Sequence, residues 1–217
     1  MLSNLPKLHE FDVLVFDMDG LLLNSLDKLS SALTGCVKND MDDATFAKFL
    51  GYDRMNPGKS RNEKFKYAYQ TLIASENYKE KINFALGKFE EKSLTARVES
   101  ELDDAIFTLF ELHRSKKFIL LSNCANNQIK SVVLHHKLEL IFQDNIFGTP
   151  PTKLETLTAL LQENPGCRFI SISDSESDAE VAELLGIDFL YIHKFARGNT
   201  EWIKESYFTS PSISALS

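Results

Sequence analysis

Short apolar runs recur along this chain with helical stretches between them, and that alternation narrows the available folds more than any other feature. Phe11-Asp12-Val13-Leu14-Val15-Phe16 is β-branched and aromatic with no breaker, as expected of a strand buried on both faces. Residues 118–121, 168–172 and 187–192 read the same way, and Asn145-Ile146-Phe147 is a shorter fifth candidate. Between them, apolar residues repeat at helical spacing. Leu102, Ala105, Ile106, Leu109, Phe110 and Leu112 share one side of a helix. So do Ile129, Val132, Val133 and Leu134, and again Leu154, Leu157, Leu160 and Leu161. Ala179, Val181, Ala182, Leu184 and Leu185 mark one more helix, with Gly186 placed as its C-cap. Strands alternating with helices predict a layered α/β domain with a mostly parallel sheet.

One stretch breaks the rhythm. Residues 25–96 contain no convincing strand. Residues 42–50 and 61–95 have helical patterns, separated by the punctuated loop Gly51-Tyr52-Asp53-Arg54-Met55-Asn56-Pro57-Gly58. The expected organisation is therefore a core of residues 1–24 and 97–217 with a helical insertion of residues 25–96. The Ser-rich tail, residues 209–217, is expected to be loose.

Asp17-Met18-Asp19-Gly20 follows the first strand directly. With 14 Asp and 9 Gly in 217 residues, a D-x-D-G arises by chance about 0.04 times, and a buried strand just before it makes chance rarer still. Solvated turn carboxylates are the plain alternative. The chemical reading is stronger, because ligands of open α/β sheets bind outside the carboxyl ends of the strands. Two close carboxylates need a hard cation or a proton between them. Mg²⁺ takes oxygen ligands and keeps phosphate company. One carboxylate then serves as nucleophile and the other as proton shuttle.

The other strand ends add to the same edge. Asp174-Ser175-Glu176-Ser177-Asp178 follows the third strand and adds Asp174 and Asp178, although acids also suit a helix start on electrostatic grounds alone. Ser122-Asn123 ends the second strand before a helix, where a hydroxyl and backbone N–H groups suit a phosphate oxygen. Lys153 opens a helix, against the dipole, so its position asks for a buried anion or else a solvated surface site.

Charge and cysteine content bound the rest. Lys and Arg number 24 against 31 Asp and Glu, a net charge of −7 with no basic run. That argues against a nucleic-acid backbone or an anionic membrane as partner and requires a local positive site for any anionic substrate. No apolar run approaches the roughly 20 residues of a membrane span, and residues 1–10 lack a secretion signal. Cys36, Cys124 and Cys167 are odd in number and lack metal-like spacing, which predicts a reducing, cytoplasmic setting. His113, His135, His136 and His193 share no spacing with acids or cysteines.

Taken together, these residues resemble the haloacid dehalogenase-like hydrolases, over nearly the whole chain. The run from Phe16 to Ser25 looks like that superfamily's first motif, Leu121-Ser122-Asn123 its second, Lys153 its third and Ser173-Asp174-Ser175-Glu176-Ser177-Asp178 its fourth. Among its members, those like phosphoglycolate phosphatase and β-phosphoglucomutase are most similar. The resemblance implies a Rossmann-like three-layer core with an inserted α-helical cap domain. It implies a Mg²⁺-dependent phosphatase acting on a small phosphorylated metabolite, as a monomer or a dimer. Asp17 would be the nucleophile and Asp19 the acid and base. Asp17, the backbone carbonyl of Asp19 and Asp174 would hold Mg²⁺, with Asp178 in support. Ser122, Asn123 and Lys153 would neutralise the transferring phosphoryl group. Gly58-Lys59-Ser60-Arg61-Asn62-Glu63-Lys64-Phe65 looks like a less specific cap segment of some members, with Arg61 and Lys64 meeting a further part of the substrate. Arg54 and Lys59 are weaker candidates for the same task. Leu21 stands where Thr or Val is usual, Asn24 where an acid is frequent, and Ser173 where Gly is frequent. A phosphomutase would use the same groups, and a non-catalytic binding protein could share the fold.

Overall fold

Val13–Phe16 forms β1, with all four residues buried. In the computed structural model, which describes residues 5–56 and 59–217, this strand lies at the centre of a six-stranded sheet. The others are β2 (Lys117–Ala125), β3 (Ile146–Thr149), β4 (Phe169–Ser173), β5 (Asp188–Ile192) and β6 (Phe208–Ser210). Every pairing is parallel and the order is β3-β2-β1-β4-β5-β6. Alternate residues of β1 serve opposite faces. Val13 and Val15 pack with Ile119, Leu121, Leu157, Leu160 and Phe169. Phe16 stacks on Phe118 at 5.3 Å and meets Phe142 edge-on at 5.9 Å. Both faces are thus covered, and this is why the strands read as unbroken apolar runs.

The chain divides into two compact units, residues to Asn24 with Glu101–Ser217, and Ser25–Ser100. The first unit carries the sheet with α5 (Ala105–Leu112), α6 (Asn126–His135), the short α7 (Glu139–Phe142), α8 (Lys153–Glu163) and α9 (Glu176–Leu185). Gly186 ends α9 in the left-handed conformation at φ 67°, as its position suggested. In the second unit lie α1 (Leu26–Thr34), α2 (Asp43–Met55), α3 (Arg61–Lys66), a π-helical turn (Tyr67–Leu72) and α4 (Tyr78–Val98). Its core gathers Leu33, Val37, Phe49, Phe65, Tyr69, Ile82 and Phe89.

Several expectations are corrected. The helical stretch from residue 61 is not one element, because it turns at Ala74, whose φ is +51°. The expected loop from Gly51 is helical as far as Met55, while its Pro57 and Gly58 lie outside the described residues, as do residues 1–4. Helix α4 runs unbroken past Ala96 to Val98, and the second unit closes at Ser100. The tail is not loose. Phe208–Ser210 adds an edge strand to β5, and Ile213 is fully buried. None of the described helices is long and apolar enough to cross a membrane.

Candidate active site

The sheet order reverses at β1, with β2 on one side and β4 on the other. A crevice opens outside the carboxyl ends of the strands at such a switch point. Phe16 is in register with Leu120 and with Ile172, and the Asp17 N–H donates to the Ile172 carbonyl at 3.0 Å. Asp17 therefore leaves β1 beside the start of the Ser173-Asp174 segment. Behind it the chain folds back tightly. Leu22 and Leu23 N–H groups donate to the Met18 carbonyl, and the Gly20 N–H donates to that of Leu23 at 2.9 Å. Met18, Leu21, Leu22 and Leu23 are wholly buried in this turn, so Leu21 serves packing.

Lys153 is the first residue of α8, which Thr152 and Glu155 open as a reciprocal capping box. Its Nζ lies 2.8 Å from Asp17 Oδ1 and 2.8 Å from Asp178 Oδ2. The side chain is only 10% exposed, so the solvated-lysine alternative does not hold. Burial opposes the ammonium charge, but Asp17 and Asp178 outweigh it and hold its proton more firmly than in free lysine. Asp17 is pushed up to about 7, chiefly by burial, with Asp178 and Asp19 adding to the rise and Lys153 opposing it. Asp174 is raised well above the usual carboxylate range by burial, then by the charges of Asp17 and Asp178.

These residues pose a charge problem. Asp174 and Asp178 are buried and Asp17 nearly so, and among the described residues the only ammonium paired with them, that of Lys153, meets Asp17 and Asp178. Asp174 Oδ1 is buried without a hydrogen-bond partner, and a buried unmet acceptor is costly. Gly20, at φ +88°, leaves room for that carboxylate, since a Cβ there would stand 2.3 Å from Asp174 Oδ2. Among the described residues no three such side chains converge as a ready ligand cage. The orphaned oxygen, the excess negative charge and the all-oxygen donor set nevertheless fit a hard divalent cation.

Ser122 is buried and its Oγ accepts the Cys124 N–H at 3.1 Å. Asn123 is exposed. Both lie within β2, which continues to Ala125 with a register shift against β3 after Leu121, and not at a helix start. The strand is held to the next loop by Asn126, whose Oδ1 accepts the Gly148 N–H at 3.0 Å and whose Nδ2 donates to the Pro150 carbonyl. Asn126 escaped the sequence reading; its place at the β2–α6 turn was the available signal. Ser173 registered there only as a departure, yet its Oγ–H donates to Asp178 Oδ2 at 2.5 Å.

Arg61 and Lys64 belong to the second unit. Lys64 is buried in an ion pair with Asp53 at 2.8 Å, and Asp53 also accepts from Ser30 Oγ at 2.5 Å. Arg61 lies over the Phe89 ring at 5.8 Å. Lys64 thus has a carboxylate partner, Asp53, that the i, i+3 spacing gave no sign of.

No family model and no curated protein sequence matches the chain. Solved structures do. A haloacid dehalogenase-like family hydrolase from Streptococcus pneumoniae superposes with a TM-score of 0.71 at 19% identity, over 96% of this chain and 98% of that one. A predicted phosphoglycolate phosphatase from Haemophilus somnus gives 0.73 at 14% identity, over 95% and 96%. A protein from Bacillus subtilis, described as a HAD-hydrolase and solved bound to magnesium, gives 0.66 at 16%, over 95% and 97%. The chain has the fold of the haloacid dehalogenase-like hydrolases, a Rossmann-like α/β sheet accompanied by a helical unit.

Proposed function

We propose that the protein is a Mg²⁺-dependent phosphatase that hydrolyses a small phosphorylated metabolite through a phosphoaspartate on Asp17. The observation that carries this reading is Asp17 at the switch point, 2.8 Å from a buried lysine, with Asp19 two residues further on. A carboxylate oxygen of Asp17 attacks phosphorus and the bond to the ester oxygen breaks. Asp19 gives its proton to that leaving oxygen. Water then attacks the phosphoaspartate and loses its proton to Asp19, and the P–O bond to Asp17 breaks, releasing inorganic phosphate. Lys153 meets the charge on the phosphoryl oxygens, as positioning and charge stabilisation require. Ser122 Oγ already accepts from Cys124, so its own hydrogen is the part offered to a phosphate oxygen. Asn123, exposed beside it, offers an amide. Asp17, Asp174 and the Asp19 carbonyl, supported by Asp178, would hold Mg²⁺, which supplies charge neutralisation of the phosphoryl group. Two similar structures, one of a predicted phosphoglycolate phosphatase and one of a hydrolase bound to magnesium, support the reading.

The test is phosphate release from an aryl phosphate and from a panel of metabolite phosphates, with Mg²⁺ and with chelator. Release that requires Mg²⁺ is expected, and Asp17→Asn should abolish it with an unchanged circular dichroism spectrum. Wild-type rates in that variant would remove Asp17 from the nucleophile role.

A further inference from the structure

Ser173 is the last residue of β4. It is 1% exposed. A buried hydroxyl must be satisfied, and here the whole of its bonding is turned on one short segment. Its Oγ–H donates to Asp178 Oδ2 at 2.5 Å, and its Oγ accepts the Ser175 N–H at 3.3 Å. The same Asp178 Oδ2 accepts the Lys153 ammonium at 2.8 Å, which reaches Asp17 Oδ1 at 2.8 Å. An unbroken chain of bonds therefore runs from Ser173 through Asp178 and Lys153 to the attacking carboxylate.

We infer that Ser173 is a positioning residue, which fixes the Asp178 carboxylate so that Lys153 is held against Asp17. The physical case rests on how few restraints the aspartate has otherwise. Lys153 is a flexible point charge with rotatable donors, so it cannot orient Asp178 and must itself be oriented by it. The backbone of Asp178 is fixed, its N–H donating to Ser175 Oγ at 3.3 Å at the start of α9. The carboxylate rotor is not. A hydroxyl delivered from a buried strand supplies the missing restraint. Without it Asp178 can turn away, and the ammonium is left shared unequally with Asp17. A misplacement near 1 Å at a reacting centre costs about 100-fold. This inference rests on the phosphatase reading for its kinetic consequence, but not for the geometry itself.

Two measurements on the full chain separate these. In the first, Ser173→Ala and Ser173→Gly are assayed on an aryl phosphate with Mg²⁺. We expect kcat to fall about 10- to 100-fold with KM within about twofold, and Ser173→Thr to restore most of the loss. In the second, the Lys153 ammonium is followed by proton–nitrogen NMR of ¹⁵N-lysine-labelled protein, assigned with Lys153→Met. A buried, doubly paired ammonium should give a protected signal in the wild type and in Ser173→Thr, and lose it in Ser173→Ala. Wild-type kinetics in Ser173→Ala and Ser173→Gly, or a retained Lys153 signal in Ser173→Ala, would overturn the inference. So would an equal fall in all three variants matched by an equal fall in Tm, since that is a packing effect. A wild type without phosphatase activity but with a Lys153 signal that depends on the Ser173 hydroxyl would sink the proposed function and leave the positioning role standing.

Discussion

Two lysines show what a residue's burial decides that its neighbours in sequence do not. Lys153 is the first residue of α8 and Lys64 lies in the first turns of α3, and both side chains are about 10% exposed. Lys153 faces Asp17 and Asp178 at the carboxyl edge of the sheet, whereas Lys64 faces Asp53 inside the helical unit. Breaking a buried pair strands a charge, at a cost of about 3–5 kcal/mol. Lys64→Met should accordingly lower the unfolding free energy by about 3 kcal/mol in urea titrations. It should leave aryl phosphate hydrolysis per folded molecule near wild type. A large rise in KM with unchanged stability would assign Lys64 to the substrate. At Gly20 the balance runs the other way. Alanine there adds a Cβ 2.3 Å from Asp174 Oδ2 and an unfavourable φ of +88°. The backbone cost is roughly 1–2 kcal/mol, but the displaced carboxylate belongs to the proposed cation site. Gly20→Ala should therefore weaken Mg²⁺ binding, read by calorimetry, far more than it lowers Tm.

The elements that were easiest to read are those whose two faces are both covered. β1 is apolar throughout, and β4 and β5 are mostly apolar and almost wholly buried, as strands covered on both faces are, while the intervening helices carry a single apolar stripe. What stayed hidden has physical reasons. β6 is a three-residue edge strand, Phe208-Thr209-Ser210, whose pairing with β5 is set by backbone bonds that Thr and Ser do not advertise. The turn at Ala74 puts a residue with no special chemistry at positive φ. In the candidate site, the meeting of Asp17, Lys153 and Asp178 was legible because topology gathers whatever follows each strand. The Asp53 partner of Lys64 and the Ser173 bond to Asp178 were not, since side-chain pairing across elements leaves no periodic trace. The start of α8 can be tested directly. Glu155 accepts from the Thr152 N–H and hydroxyl at 2.8 Å each, and the Thr152 bonds hold its carboxyl below the usual range. A carboxylate with a lowered folded value contributes stability above its unfolded value and loses it as pH falls through the folded one. Glu155→Gln should remove that acid-side fall, so the urea midpoints of the two proteins converge as pH drops below the glutamate range. Parallel curves at every pH would deny the capping box any charge contribution.

At the scale of the whole molecule, the division into two compact units has a thermodynamic consequence. The helical unit owns a core of its own, in which Phe49 and Phe65 are fully buried and Phe65 meets Phe89 edge-on at 6.4 Å. The sheet unit has separate clusters about Val13 and about Phe189. Units that each possess a core open with their own free energies, and hydrogen exchange resolves them. Phe49→Ala removes most of an aromatic side chain from a site with no exposure, which costs about 3–5 kcal/mol where the cavity does not collapse. That loss should be confined. Amides of residues 25–100 should exchange about 100-fold faster or more, because each 1.4 kcal/mol is a factor of ten. Amides of β1, β2 and β4 should keep their wild-type protection. Hydrolysis of an aryl phosphate, which the proposed function assigns to the strand-end groups of the sheet unit, should survive at temperatures where selectivity among metabolite phosphates is already lost. Equal acceleration of exchange across both units would mean that they fold as one cooperative body, and that the helical unit's core is a condition for assembling the Asp17–Lys153–Asp178 cluster.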